Sequence, residues 1–235
     1  LLPPLLAITP GDDRPLAPWL VALGEAGLPG VLLREPQRSA DDLRALAAVA
    51  QHHVPVVWVH GRCRGAEAQR LPTHCPSTGA PPDARRPWGR SCHSLREVDD
   101  ACRAGAAWVF LSPIWRPTSK PDDRRTALGL DEVAHHGQRS RVYALGGVTA
   151  DRHRTVLDRG LAGSAVLGGL FGASSPEEAV DLDRPVGGVG PEGVEPAPDG
   201  GVEAVPLDRA RPAVHIADSA PAVKSTYQPP YRPAA

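Results

Sequence analysis

A chain of 235 residues, 41% hydrophobic and 23% charged, is long enough for one barrel or doubly wound domain of roughly 200 residues and short for two. A formal net charge of -1 with no long basic run excludes an electrostatic case for nucleic acid or an anionic membrane surface, and no apolar run approaches the roughly 20 residues that span a bilayer. Cys63, Cys75, Cys92 and Cys102 form no CxxC pair; with no basic-then-apolar leader at the N-terminus, reduced thiols in a cytoplasmic setting are the expected state.

Leu5-Leu-Ala-Ile-Thr9 is a short apolar run closed by Pro10 and Gly11 and reads as a first strand. Trp19, Leu20, Leu23 and Ala26 follow at helical spacing over 18–26, with Gly27 and Pro29 as the stop. Val31 to Glu35 is a second strand whose last residues turn charged. Ser39 and Asp42 form an acidic variant of the capping box, and Leu43, Leu46, Ala47 and Ala50 mark one helical face. Pro55 to His60 repeats the strand pattern and again ends in polar residues, His60, Gly61 and Arg62. Gly65 to Arg70 predicts at most a helical turn and Thr73 to Ser77 a short strand, both crowded by Pro72 and Pro76.

Trp88 to His93 leads into a helix with Leu95, Val98 and Cys102 at helical spacing, where Ser94 and Glu97 supply a full capping box. Val109, Phe110 and Leu111 lack polar alternation, as in a strand buried on both faces of a parallel sheet. Leu130, Val133 and Ala134 suggest a helix ended by Gly137. Strands over 141–147 and 163–169 each end in a glycine pair, with a helix capped by Thr149 between them. Strands separated by helical stretches approach eight units, which points to a closed (β/α)8 TIM barrel over 5–182. Ten of the 27 prolines lie in residues 184–235, so 183–235 reads as a disordered Pro/Gly-rich tail, and the last helix, opened by Ser175-Pro-Glu-Glu178, is cut to about two turns.

In parallel α/β folds the C-terminal ends of the strands build the site. Arg116, Thr118, Ser119 and Lys120 follow the central strand and offer cationic and hydroxyl donors to an anionic oxygen cluster such as a phosphate. Glycines at 146, 147, 168 and 169 let backbone N–H groups approach an anion with no Cβ in the way, or serve as tight-turn residues.

These residues resemble the thiamine phosphate synthase/TenI family. The resemblance rests on Leu33-Arg-Glu35, Gly89-Arg-Ser-Cys-His-Ser94, Leu111-Ser-Pro-Ile-Trp-Arg-Pro-Thr-Ser-Lys120, Ala144-Leu-Gly-Gly-Val-Thr149 and Gly163 to Ala173, and spans roughly 5–180. It implies a TIM barrel that joins a pyrimidine diphosphate to a thiazole phosphate or, in the TenI branch, isomerises the thiazole carboxylate phosphate. It also implies that Arg34, the Pro117-Thr-Ser-Lys120 loop and Gly146-Gly147 hold substrate. The synthase branch resembles Gln-x-Arg-x-Lys on its second strand, where this chain has Leu32 and Pro36 in the outer places. The branch's Asn-Asp pair is His60-Gly61 here, and its metal aspartate falls at Thr78-Gly79. Mg²⁺-diphosphate needs hard carboxylate ligands, so no cofactor is expected unless the synthase reading holds. The proton-transfer histidine of some TenI proteins falls at Pro113.

His93, His60 and His74 remain for proton transfer, each near a strand end, and imidazole titrates near physiological pH. His93 is the first choice, with Cys92 as a thiol candidate. Adjacent strand residues face opposite sides, so a zinc site from His74, Cys75, Cys92 and His93 requires irregular strand ends; no metal site is expected. Three readings stand: a TenI-like thiazole tautomerase, a divergent thiamine phosphate synthase, and a noncatalytic phosphate-ligand barrel. The expected partner is a small-molecule thiazole phosphate, without nucleic acid or membrane; a homo-oligomer stays open.

Overall fold

The computed structural model describes residues 2–66, 70–80, 82, 86–116 and 125–176. The chain divides into the units Leu1–Val189 and Gly190–Ala235. All described residues belong to the first. The expected tail from 183, and the helix expected after Pro176, lie outside the described residues.

Eight strands form the sheet: β1 (Leu5–Ile8), β2 (Gly30–Leu33), β3 (Val56–His60), β4 (Thr73–Cys75), β5 (Trp88–Cys92), β6 (Trp108–Leu111), β7 (Val142–Leu145) and β8 (Gly163–Val166). Each pairs in parallel with the next, and β8 pairs with β1 through Leu6 against Ala165, which closes the barrel. This is the TIM barrel that the strand and helix spacing predicts. The helices are α1 (Leu16–Glu25), α2 (Ala40–His53), α3 (Leu95–Arg103), α4 (Leu130–Ala134), α5 (Ala150–Asp158) and α6 (Gly168–Phe171). Among the described residues no α-helix follows β3 or β4; of the helical turn expected over 65–70, Ala66 begins a 3-10 turn and 67–69 lie outside the described residues. No described helix is long and apolar enough to cross a membrane.

The caps form where their residues predict them. Ser39, Ser94 and Thr149 each accept a hydrogen bond from the backbone N–H three residues on, satisfying one orphan donor of the first turn. The box at Ser94 is longer than the usual one. Glu97 reaches past the cap residue, and its Oε2 accepts from His93 N at 2.8 Å. Strand 163–169 is corrected: the chain leaves the sheet after Val166 and turns into α6, so Gly168 and Gly169 open a helical turn.

Because successive strand residues alternate, the barrel has separate inner and outer cores. Outside β1–β3, Val31, Leu33, Val57 and Val59 pack with Leu20, Leu23, Leu43 and Leu46 of α1 and α2. Outside β5–β7, Cys92, Val109, Leu111 and Val142 pack with Val98 of α3 and Val133 of α4. The interior holds Leu6, Ile8, Leu32, Trp58, Trp108, Phe110, Tyr143 and Ala165. Trp58 stacks on Trp108 with centroids 3.8 Å apart and meets Tyr143 edge-on at 5.8 Å. Burying each such ring contributes about 2–3 kcal/mol. Such large rings fit only because their neighbours are small: a Cβ on Gly89 would lie 2.1 Å from Trp108 Nε1. Tyr143 donates its hydroxyl proton to Pro3 O at 2.7 Å, and burial raises its pKa.

Candidate functional site

The C-terminal ends of the strands bring His60, His74, His93, Arg34 and the two glycine pairs to one mouth, but at different depths. His74 lies deepest, at 1% exposure. Trp108 Nε1 donates to its Nδ1 at 3.1 Å, so the ring proton is on Nε2, which donates to Ser91 Oγ at 3.0 Å. Its ring stacks on Phe110 with centroids 3.9 Å apart. Both nitrogens are engaged inside the aromatic core, and burial together with His60 holds the pKa well below the ordinary histidine value.

His60 sits one layer higher, its ring centroid 6.0 Å from that of His74. Arg62 N donates to its Nδ1 at 3.2 Å, which places the proton on Nε2. Burial, then the Arg34 and Arg62 charges, lower its pKa to about 4, so the ring is neutral near pH 7. Arg34 is exposed at the rim; its backbone N–H donates to Thr9 Oγ1 at 2.7 Å.

His93 follows β5 and is half-buried. Its Nδ1 lies 2.9 Å from Ser112 O, 3.3 Å from Ser112 Oγ and 2.8 Å from Arg125 Nη1. Ser112 and Arg125 are not marked by any spacing in the sequence, and only the fold brings them to His93. The Ser112–Pro113 peptide is cis.

Cys92, the thiol candidate, is corrected. It points outward into the core beneath α3, is fully buried, and burial pushes its pKa up to about 12, so thiolate is scarce. Cys75 also packs in that outer core, whereas His74 faces the interior, so the four residues weighed for zinc are split across the sheet.

Gly146 and Gly147 adopt φ values of 94° and 64°, a region that favours glycine. The loop after β6 crosses them: Trp115 N donates to Gly146 O at 3.2 Å, and a Cβ on Gly147 would meet Arg116 O at 2.9 Å. Gly168 is exposed and Gly169 half-buried at the start of α6, where the first N–H groups of a helical turn have no partner within it. Thr118, Ser119 and Lys120 lie outside the described residues.

Among the described residues the donor set at this mouth is poor in carboxylates. The last residue of β3 and the first residues of the loops after β3 and β4 are His60, Gly61, Arg62, Pro76, Ser77 and Thr78, none a carboxylate; Glu67 and Asp83 of the same loops lie outside the described residues. The buried carboxylate here, Glu35, is occupied: Oε1 accepts from Gly11 N at 3.0 Å and Oε2 from Arg38 Nε at 3.0 Å. Asp12 is paired with Arg14. Among the described residues no group of three or more His, Cys, Asp or Glu side chains is placed to hold a metal ion.

A family model described as thiamine monophosphate synthase matches residues 5–170. The thiamine-phosphate synthase of Mycobacterium bovis is 29% identical over 180 residues, covering 70% of this chain and 80% of that protein. That of Geobacillus thermodenitrificans is 34% identical over 94 residues, 39% of this chain and 42% of that protein, so the match spans less than half the relative's length. Among solved structures, thiamine phosphate pyrophosphorylase from Pyrococcus furiosus superposes with a TM-score of 0.63 at 20% identity, covering 76% of this chain and 93% of that one. The Bacteroides thetaiotaomicron pyrophosphorylase gives 0.57 at 24%, covering 76% and 95%. At these identities the two structures speak for the fold, and with the match over 5–170 the conclusion is that the chain belongs to the thiamine monophosphate synthase (TMP-TENI) family.

Proposed function

We propose that the chain binds a thiazole phosphate without a divalent metal and isomerises it, as a thiazole tautomerase-like member of its family. The observation that carries this reading is the donor set that the described residues place at the mouth, where imidazole, guanidinium and hydroxyl groups stand and their one buried carboxylate is already bonded. Such a set suits holding an anion and moving a proton, and is poor in the hard oxygens a metal diphosphate needs. In this reading Thr118, Ser119 and Lys120 hold the phosphate with backbone donors at Gly146, Gly147, Gly168 and Gly169, and Arg34 faces it across the mouth. His93 moves the proton. His60, neutral with its proton on Nε2, donates a hydrogen bond to charge developing on the ring precursor.

The names of the relatives favour a second reading, a thiamine phosphate synthase that joins a pyrimidine diphosphate to the thiazole phosphate. Calorimetry with thiazole phosphate, with and without Mg²⁺ and pyrimidine diphosphate, separates the two when run beside assays of both turnovers. Metal-independent binding with isomerase turnover supports the first reading. Binding enhanced by the pair, with coupled product, replaces it with the second. Binding with neither turnover leaves a noncatalytic phosphate-ligand barrel.

A further inference from the structure

The turn after β7 has both of its glycine carbonyls held by donors. Trp115 N donates to Gly146 O at 3.2 Å, and Arg152 Nη1 donates to Gly147 O at 2.5 Å. Across a planar trans peptide the carbonyl and the N–H point opposite ways. Holding Gly146 O toward Trp115 therefore turns the Gly147 N–H away from the loop after β6, and holding Gly147 O toward Arg152 turns the Val148 N–H away from the guanidinium. Among the described residues neither N–H is given to a protein acceptor. The first peptide is fixed by a backbone donor, whereas the second is fixed by a side chain. Gly147, at φ 64°, has no Cβ to restrict it, so the direction of the Gly147–Val148 peptide depends on what grips its oxygen.

Arg152 is itself steadied at both ends. Its backbone N–H donates to Thr149 Oγ1 at 3.3 Å in the first turn of α5. Its guanidinium carbon lies 5.0 Å from the centroid of the Trp115 ring, a cation–π contact. Trp115 thus holds one carbonyl with its backbone and, with its ring, the donor to the other.

We infer that Arg152 is a positioning residue of the phosphate site: by gripping Gly147 O it sets the Gly147–Val148 peptide so that the N–H groups of Gly147 and Val148 are presented together to a phosphate oxygen. The inference deepens the proposed function and rests on it for the ligand. Arg152 acts through the backbone and not by touching phosphate. Without it the Gly147–Val148 peptide is free to turn about the glycine, and one of the two donors loses its aim while the other, fixed through Trp115, keeps it.

The test is backbone NMR of the full chain beside calorimetry, with inorganic phosphate as the probe. In the wild type the Gly147 and Val148 amide signals are expected to move together as phosphate saturates. Arg152→Ala, at an exposed position, is expected to shift the Gly147 carbonyl 13C signal before any phosphate is added. It should also weaken phosphate binding by about tenfold, the scale of one lost charge-assisted hydrogen bond, with the Gly147 amide still responding to phosphate and the Val148 amide no longer doing so. Arg152→Lys, which keeps a donor for Gly147 O, should restore the carbonyl signal and the Val148 response, a rescue that a merely structural role does not give. Wild-type affinity in folded Arg152→Ala overturns the inference. So does weaker binding with the Gly147 carbonyl signal of the free protein unmoved, the pattern of a guanidinium that only contacts phosphate. If phosphate does not bind the wild type at all, the proposed function falls and the presentation of donors to phosphate falls with it, while the carbonyl signal of Arg152→Ala still decides whether Arg152 sets the peptide.

Discussion

Trp108 gives its indole proton to His74 Nδ1 across 3.1 Å in the closed interior of the barrel. Neither ring has water to fall back on, since both are about 1% exposed. Replacing His74 with Ala leaves a buried indole N–H without its acceptor and opens a cavity against Phe110. The expected loss is about 3 kcal/mol of stability, read as a lower urea midpoint with the slope unchanged. A variant as stable as the wild type would mean that the pair does not hold the interior together.

Acid should unfold the protein earlier than its carboxylates alone dictate. His60 and His74 have folded pKa values below their unfolded value, so the unfolded chain binds more protons once pH drops below about 6.5. Stability should therefore be level above pH 7 and fall as pH decreases, by about 1.4 kcal/mol per pH unit for each ring where only the unfolded state is protonated. For His60 the window closes near pH 4, an integrated loss of about 3 kcal/mol. Urea melts between pH 7.5 and 5 check this. His60→Gln should remove its share of the slope, and an unchanged slope would contradict the assignment.

Gly89→Ala should damage the barrel out of proportion to one methyl group. The new Cβ would sit 2.1 Å from Trp108 Nε1, and Trp108 is held between Trp58 and His74. Overpacking of this kind costs about 1–3 kcal/mol, and the indole must turn to relieve it. Thermal melts with near-ultraviolet circular dichroism should show a lower midpoint and an altered tryptophan signal.

His93→Ala should leave thiazole phosphate affinity nearly intact while turnover falls by roughly 10²- to 10⁴-fold, the range for a lost general acid–base. Lys120→Ala should do the reverse, weakening binding by roughly 10- to 150-fold through one charge-assisted contact. Single-turnover assays beside calorimetry separate the two. Full turnover in folded His93→Ala would pass the proton to another group.

What could be read ahead of the structure followed from local rules. Ser39, Ser94 and Thr149 cap helices because the capping hydrogen bond spans only three residues. Strand alternation separates His74 from Cys75, as their placement on opposite sides of the sheet bears out, whereas His93 lies past the end of β5 and only Cys92 is placed by the strand. The strand read to Gly169 overran because the apolar run Ala165-Val-Leu continues past the last sheet pairing, and nothing local shows that the chain turns at Gly168. Arg125 meets His93 across 32 positions, and that encounter depends on how the intervening loop closes on Pro113 and Ile114. The same holds for Trp108 and His74, whose pairing requires the barrel to close before the two rings share an interior.

The two outer cores also leave the molecule two built-in reporters of how it opens. Cys63 is buried in the outer core beside α1 and α2, and Cys92 in the one beneath α3 and α4. A thiol reagent such as a maleimide reaches either only when its flank lifts from the sheet, so capture kinetics followed site by site by mass spectrometry measure each flank separately. Equal capture rates would mean that the wall of the barrel fails all at once. A faster Cys63 would locate the first breach beside β3, where the described chain lays no α-helix over the connection to β4.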